Sequence, residues 1–286
     1  MPAMQGKGGP WTERKLAAVR KYLQAFNTAL SKRNFTRVYA DAFAGSGSRE
    51  LDCVPLLDDD LDIARIAKGS ARIALESKPS FHRFIFIEKT ASNVASLRGL
   101  RPEFPELDVQ IRKTDANSEL VNIAKAWDQN WRGILFLDPY GCQVEWNCLT
   151  AVAATTAIDV WLLFPLNAVR RTLPNGGAFE PGWGERLDLL FGTPAWFDRF
   201  YPKIRKDDLF GTQMPEHVRT VTLDGIEAFY RERLCELFKA GVCKKPPPSR
   251  RAKSRPLFSL FFACSNPSRA ARTIAHEIAD HILRST

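Results

Sequence analysis

With 286 residues, of which 45% are hydrophobic, the chain has the material for a substantial buried core, which excludes an intrinsically disordered protein. The longest apolar stretches, such as 134–137 and 160–166, fall well short of the roughly 20 residues that cross a bilayer, so no membrane helix is expected. A formal net charge of +9 and a pI near 9.4 favour a polyanionic partner such as nucleic acid, although charge speaks to association and not to fold.

Residues 1–11 are polar and glycine-containing and lack the apolar core of a secretory signal, so a cytoplasmic location is expected. Between Trp11 and Ser31, Leu16, Val19, Leu23, Phe26 and Leu30 recur at steps of three and four. That spacing draws one stripe of an amphipathic helix within an N-terminal helical segment, 1–32, with Thr12 placed to cap it. The β-branched and aromatic run 35–43 then predicts a strand that ends in the turn Ala44-Gly45-Ser46-Gly47. Residues 48–68 carry a cluster of acids and form an unusually long connection, with helix resuming at Gly69-Ser70. Further strands are predicted at 84–88, at 109–111 leading to Asp115, at 133–137 running into Asp138-Pro139-Tyr140-Gly141, and at 157–165, with helical spacers between.

From 166 to 215 the pattern loosens into glycine, proline and aromatic residues, which suggests an insertion or lid within a single domain, 1–286. Helical spacing returns with Leu223, Ile226, Tyr230, Leu234 and Leu237. A basic stretch of Lys244, Lys245, Arg250, Arg251, Lys253 and Arg255, stiffened by three consecutive prolines, precedes a strand at 257–263 and a last helix from about residue 267 to 283. Apolar strands alternating with helices indicate an α/β fold: a Rossmann-like, doubly wound, mostly parallel sheet with helices on both faces and a C-terminal antiparallel hairpin.

In such a sheet, ligands bind beyond the carboxyl ends of the strands, near the point where strand order reverses. Each candidate functional residue falls at such an end. Asp41 and the glycine turn follow the first strand, Glu88 ends the second, Asp115 follows the third and Asp138 follows the fourth. Glycine lets backbone N–H groups approach a ligand, and an acid after the second strand is placed to accept both hydroxyl protons of a ribose. Against this, an isolated Gly-x-Gly can be an ordinary turn, Glu88 can be a solvated acid at a helix start, and Pro139 and Gly141 can shape a loop while Tyr140 packs on the sheet end. The six cysteines contain no Cys-x-x-Cys pair and the four histidines are dispersed, so neither a disulfide framework nor a metal site is expected.

The stretches Tyr39-Ala40-Asp41-Ala42-Phe43-Ala44-Gly45-Ser46-Gly47, Phe86-Ile87-Glu88, Phe136-Leu137-Asp138-Pro139-Tyr140-Gly141 and Asp159-Val160-Trp161 with Leu163-Phe164-Pro165 together resemble the bacterial three-Cys-motif partner protein family, TcmP. The likeness covers nearly the whole chain and includes Lys15, Tyr22, Phe191-Gly192 before Trp196, and residues 261–267. That family is similar to class I S-adenosylmethionine-dependent methyltransferases, and its name refers to cysteines of a partner protein. The resemblance implies S-adenosylmethionine as cofactor, with Asp41, Gly45, Ser46 and Gly47 around its methionine moiety, Phe43 and Ala44 also in the cofactor site, Glu88 on its ribose and Asp115 near its adenine.

The same resemblance implies that Asp138, Pro139 and Tyr140 face the methyl acceptor, with Asp138 also bordering the cofactor. In transfer to a base amine, an acid and a proline carbonyl accept hydrogen bonds from the exocyclic nitrogen while an aromatic ring stacks on an unstacked base. Here Tyr140 directly follows Pro139, and Gly141 stands at the usual aromatic place of the Asp-Pro-Pro-Tyr form. The implied function is methyl transfer to nucleic acid together with a three-Cys-motif protein, with the basic stretch 244–255 on phosphates. The alternative is a non-catalytic adaptor that keeps the cofactor fold and acts through its partner.

Overall fold

The structure, a computed structural model, describes residues 10–50, 66–207, 213–244 and 258–285 of the chain. It opens with helix α1 (Pro10–Leu30). Proline suits a first helical position because its missing N–H would have no partner there, and the helix accordingly starts two residues ahead of Thr12. Next come strand β1 (Thr36–Asp41), the short ribbon of β2 (Ser48–Glu50) and β3 (Ile66–Lys68), α2 (Ser70–Leu75), β4 (Arg83–Ile87), α3 (Ala91–Leu100), β5 (Asp108–Arg112) and α4 (Ala116–Lys125). Strand β6 (Trp131–Leu137), α5 (Trp146–Ala154) and β7 (Ile158–Phe164) complete the alternating part. Beyond it lie α6 (Leu166–Thr172), α7 (Trp183–Phe191), α8 (Trp196–Phe200), a second ribbon of β8 (Lys203–Asp207) and β9 (Gln213–His217), α9 (Leu223–Leu237), β10 (Val242–Lys244), β11 (Ser259–Ala263) and α10 (Arg269–Ser285).

Seven strands form one sheet in the order β10-β11-β7-β6-β1-β4-β5. The five strands β5, β4, β1, β6 and β7 run parallel, and β11 runs against both β7 and β10. The fold is therefore α/β, doubly wound and mostly parallel, with a C-terminal antiparallel hairpin. Chain order moves outward from β1 to β4 and β5, then crosses back to β6, so strand order reverses between β1 and β6.

Alternation along the strands divides the core in two. Val38, Ala40, Ile85, Ile87, Leu135, Leu137, Val160 and Leu162 face α4, α5, α7 and α9. Tyr39, Phe84, Phe86, Ile134, Phe136, Trp161 and Leu163 face α1, α2, α3 and α10. Burial on both faces is why these strands read as unbroken apolar runs. Each large apolar side chain so buried contributes about 1.5–3 kcal/mol.

In the segment 166–215, Leu166, Val169, Leu187, Phe191, Trp196, Phe200 and Tyr201 are all buried in the first of these cores, while Trp183 is 39% exposed. Among the described cysteines, Cys142, Cys148, Cys243 and Cys264 are buried free thiols and Cys235 is an exposed one. No helix among the described residues is long and apolar enough to cross a membrane.

Candidate functional site

The carboxyl ends of β1, β4 and β6 meet beside the reversal of strand order, and backbone bonds continue past the strands. Ala42 N–H donates to the Phe136 carbonyl, Ala44 N–H to the Ile87 carbonyl and Glu88 N–H to the Arg112 carbonyl, at 3.1–3.2 Å. The chain then turns sharply through Gly45 (φ 59°) and Gly47 (φ 74°), a left-handed conformation that side-chain-bearing residues rarely adopt. The two glycines serve different ends. A Cβ on Gly47 would come within 2.6 Å of Leu100 Cδ1, so Gly47 lets the turn pack against α3. A Cβ on Gly45 would meet nothing within 4 Å, so Gly45 borders open space.

Glu88 ties this turn to the end of β4. Its Oε2 accepts from Gly45 N–H at 3.0 Å and its Oε1 from Thr90 N–H at 2.7 Å. Each carboxylate oxygen keeps a further lone pair, and the residue stays half-buried. Phe43 and Ser46 are half-buried beside it, and Ala44 is buried.

Asp41 is completely buried. Its Oδ1 accepts from Phe43 N–H at 3.3 Å, Tyr39 Oη donates to its Oδ2 at 3.4 Å, and the Ser70 hydroxyl also binds it. Burial raises its pKa from an ordinary 3.8 to about 7, with the nearby Asp138 charge adding to the rise and the hydrogen bonds and Lys15 opposing it. Asp41 therefore acts on the site by holding the turn rather than by presenting its own surface.

Asp138, one residue beyond β6, forms an ion pair with Lys15, which α1 buries to 4% exposure against the sheet. A second α1 side chain makes a matching contact further along the helix: Tyr22 Oη donates to Asp159 Oδ2 at 3.0 Å. Pro139 is buried, whereas Tyr140 is 74% exposed, so its ring does not pack on the sheet end.

The 138–145 loop is held from two sides. Asn117, buried at the start of α4, donates to the Gln143 carbonyl at 2.9 Å and accepts from Glu145 N–H at 2.9 Å. Arg186 of α7 donates to the Cys142 carbonyl at 2.5 Å and pairs with Glu145 at 3.2 Å. Beside this loop a cleft of about 770 Å³ opens toward α6 and α7. Asp115 is exposed and caps α4, its Oδ1 accepting from Ser118 N–H at 3.1 Å.

Of the residues expected on nucleic acid, Lys244 ends β10, while Lys245, Arg250, Arg251, Lys253 and Arg255 lie outside the described residues. Among the described residues, no group of three or more side chains could hold a metal ion. Asn117 and Arg186, which shape the loop, carried no signal in the sequence. Their partners, backbone groups and the Glu145 carboxylate, lie 26 or more residues away in the chain, and no local motif encodes that.

The available donors and acceptors suit a ribose-bearing cofactor. An open glycine turn gives room for close approach, and Glu88 offers two free acceptor positions beside it.

No protein-family model and no curated protein matches the sequence. Among solved structures, protein LPL1258 from Legionella pneumophila, of family DUF519, is similar at a TM-score of 0.51 and 12% identity, covering 94% of this chain and 91% of that one. That likeness establishes the fold. The carbon methyltransferase of CurJ, at a TM-score of 0.40 and 12% identity over 90% of this chain and 58% of that one, is too distant to bear on function. The same holds for an S-adenosylmethionine-dependent methyltransferase from Clostridium acetobutylicum, at 0.34 and 9% identity over 85% of this chain and 91% of that one.

Proposed function

We propose that this chain is an S-adenosylmethionine-dependent methyltransferase that acts on a base amine of nucleic acid, working with a three-Cys-motif partner protein as its resemblance to TcmP implies. One observation carries the reading: Glu88 and the open turn at Gly45 are bonded together beside the strand-order reversal, with Asp138 on the neighbouring strand end. In this reading Glu88 holds the ribose, the turn 43–47 lies along the methionine moiety, and Asp115 is near the adenine. The cofactor, when bound, supplies an electrophilic methyl group. Asp138 and the Pro139 carbonyl accept hydrogen bonds from the acceptor amine, raising electron density on its nitrogen, and the exposed Tyr140 ring offers a stacking face.

The test is calorimetric titration of the purified protein with S-adenosylmethionine, followed by radiolabelled methyl transfer to RNA and DNA with and without the partner. Binding with transfer supports the reading, and absence of binding overturns it. The adaptor reading is favoured by one observation, that Asp138 is already ion-paired to Lys15. It predicts a cofactor that binds but is never consumed, even with partner and nucleic acid present.

A further inference from the structure

The cleft beside the 138–145 loop is built from two walls. One carries Tyr140, the most exposed of the large hydrophobic side chains among the described residues, held at its backbone by Gln143 Oε1 at 3.1 Å. Gly141 follows in a left-handed conformation (φ 77°) with open space where a Cβ would stand, so nothing crowds the ring's approach. The opposite wall, from α6, α7 and the connection between them, carries Trp183, 39% exposed, together with Arg171 of α6 and Glu180 of the connection, both exposed. Two accessible aromatic faces, the acid Glu180 and two cations, Arg171 and the Arg186 already engaged by the 138–145 loop, thus border a single opening of about 770 Å³, within the roughly 300–1,000 Å³ of ligand sites.

We infer that this cleft is the acceptor-binding site and that it takes unpaired nucleotides of a single strand, with Trp183 as a stacking platform and Arg171 as a phosphate contact. Every base has a π-face, so two exposed rings bind a strand without requiring one sequence. A duplex keeps its bases stacked on one another and cannot offer those faces without extrusion. Gln143 Oε1 is engaged by Tyr140 N–H, which leaves its amide N–H groups free to donate, and Glu180 can accept, so the two can read a base edge that carries both an acceptor and an amine. The excess positive charge of the chain complements such a ligand. An apolar metabolite would use the rings but would leave Arg171 and Glu180 without purpose.

The assignment of this cleft to the methyl acceptor rests on the methyltransferase reading, whereas strand binding does not, so the two are measured separately. The probes are a fluorescently labelled single strand of about 12 nucleotides, as RNA and as DNA, and the matching duplex, titrated across a salt series. Binding of S-adenosylmethionine is measured on the same preparations. W183A is expected to weaken single-strand binding roughly tenfold or more, the scale of one base stack, with W183F restoring most of it. R171Q is expected to weaken binding and to reduce the salt slope by about 0.7, one phosphate contact.

Cofactor affinity should be unchanged in all three variants, since none of these residues touches the turn or Glu88. Single-strand affinity unaltered in W183A and R171Q, or a duplex bound as tightly as the single strand, would overturn the inference even if the cofactor binds. Strand binding that W183A and R171Q weaken, in a protein that does not bind S-adenosylmethionine, would sustain the cleft as a nucleic-acid site and remove the methyltransferase reading instead.

Discussion

Two carboxylates at the same corner of the sheet do opposite work. Glu88 is half-buried with unused lone pairs, so it can accept hydrogen bonds from a ligand; Glu88→Ala should weaken S-adenosylmethionine binding by about 1.5–3 kcal/mol, the usual loss for bonds to a charged group. Calorimetry reading equal affinity for variant and wild type would remove Glu88 from the site. Asp41, wholly buried, instead makes folding depend on pH. Its folded pKa of about 7 lies above the ordinary 3.8, so the folded protein keeps a proton that the unfolded chain has released. The contribution is therefore full below about pH 4 and is lost as pH rises toward 7, at no more than about 1.4 kcal/mol per unit. Asp41→Asn retains an acceptor for the Phe43 N–H and cannot titrate, so urea unfolding midpoints should vary less between about pH 4 and 7 than in wild type. Asp159, raised to about 6 by burial, gives a residual slope of the same sign in both proteins. A variant with the same pH profile as wild type would mean that Asp41 is ionised in the folded state at acid pH.

At the scale of elements, the question is what holds the 138–145 loop in place. The two Asn117 bonds join the start of α4 to that loop, and both partners are backbone groups. Asn117→Ala should cost about 1–3 kcal/mol of stability and lower methyl transfer while leaving cofactor affinity intact, because Glu88 and the glycine turn stand on β4 and β1. Equal loss of cofactor binding and transfer would show that the loop and the cofactor corner are one unit. The same distinction explains how far the sequence could be read. Strands such as β7 were legible because each is buried on both faces and reads as an apolar run, and α1 because its stripe faces α10 and the sheet. The ribbons β2–β3 and β8–β9 were not, since they stand apart from the main sheet and their strands, of 3 or 5 residues, are too short to leave a periodic trace. Glu88 and the glycines could be placed because they terminate recognisable strands. The Lys15–Asp138 pair spans 123 residues, and no local spacing encodes it.

The whole molecule sets charge against geometry. Because β10 is antiparallel to β11 and β11 to β7, Lys244 at the end of β10 and Ser259 at the start of β11 both stand at the carboxyl end of the parallel strands, Ser259 lying opposite Phe164. The two described ends that flank the basic stretch thus stand on the rim that also carries Asp138. Three strand spacings, about 14 Å, separate β10 from β6. Arg250, Arg251, Lys253 and Arg255 belong to the stretch between those two ends and lie outside the described residues. Replacing these four with glutamine should weaken binding of every oligonucleotide regardless of sequence and lower the salt slope on a single strand by about 0.7 for each phosphate left without its cation. W183A differs in kind, for it should lower affinity while leaving the salt slope near its wild-type value, since a stacked base releases no counterion. Titrations of the quadruple variant, W183A and wild type over the same salt series separate the two contributions. An unchanged affinity and slope in the quadruple variant would mean that the stretch does not touch nucleic acid, and would leave the proposed cleft to account for any strand binding by itself.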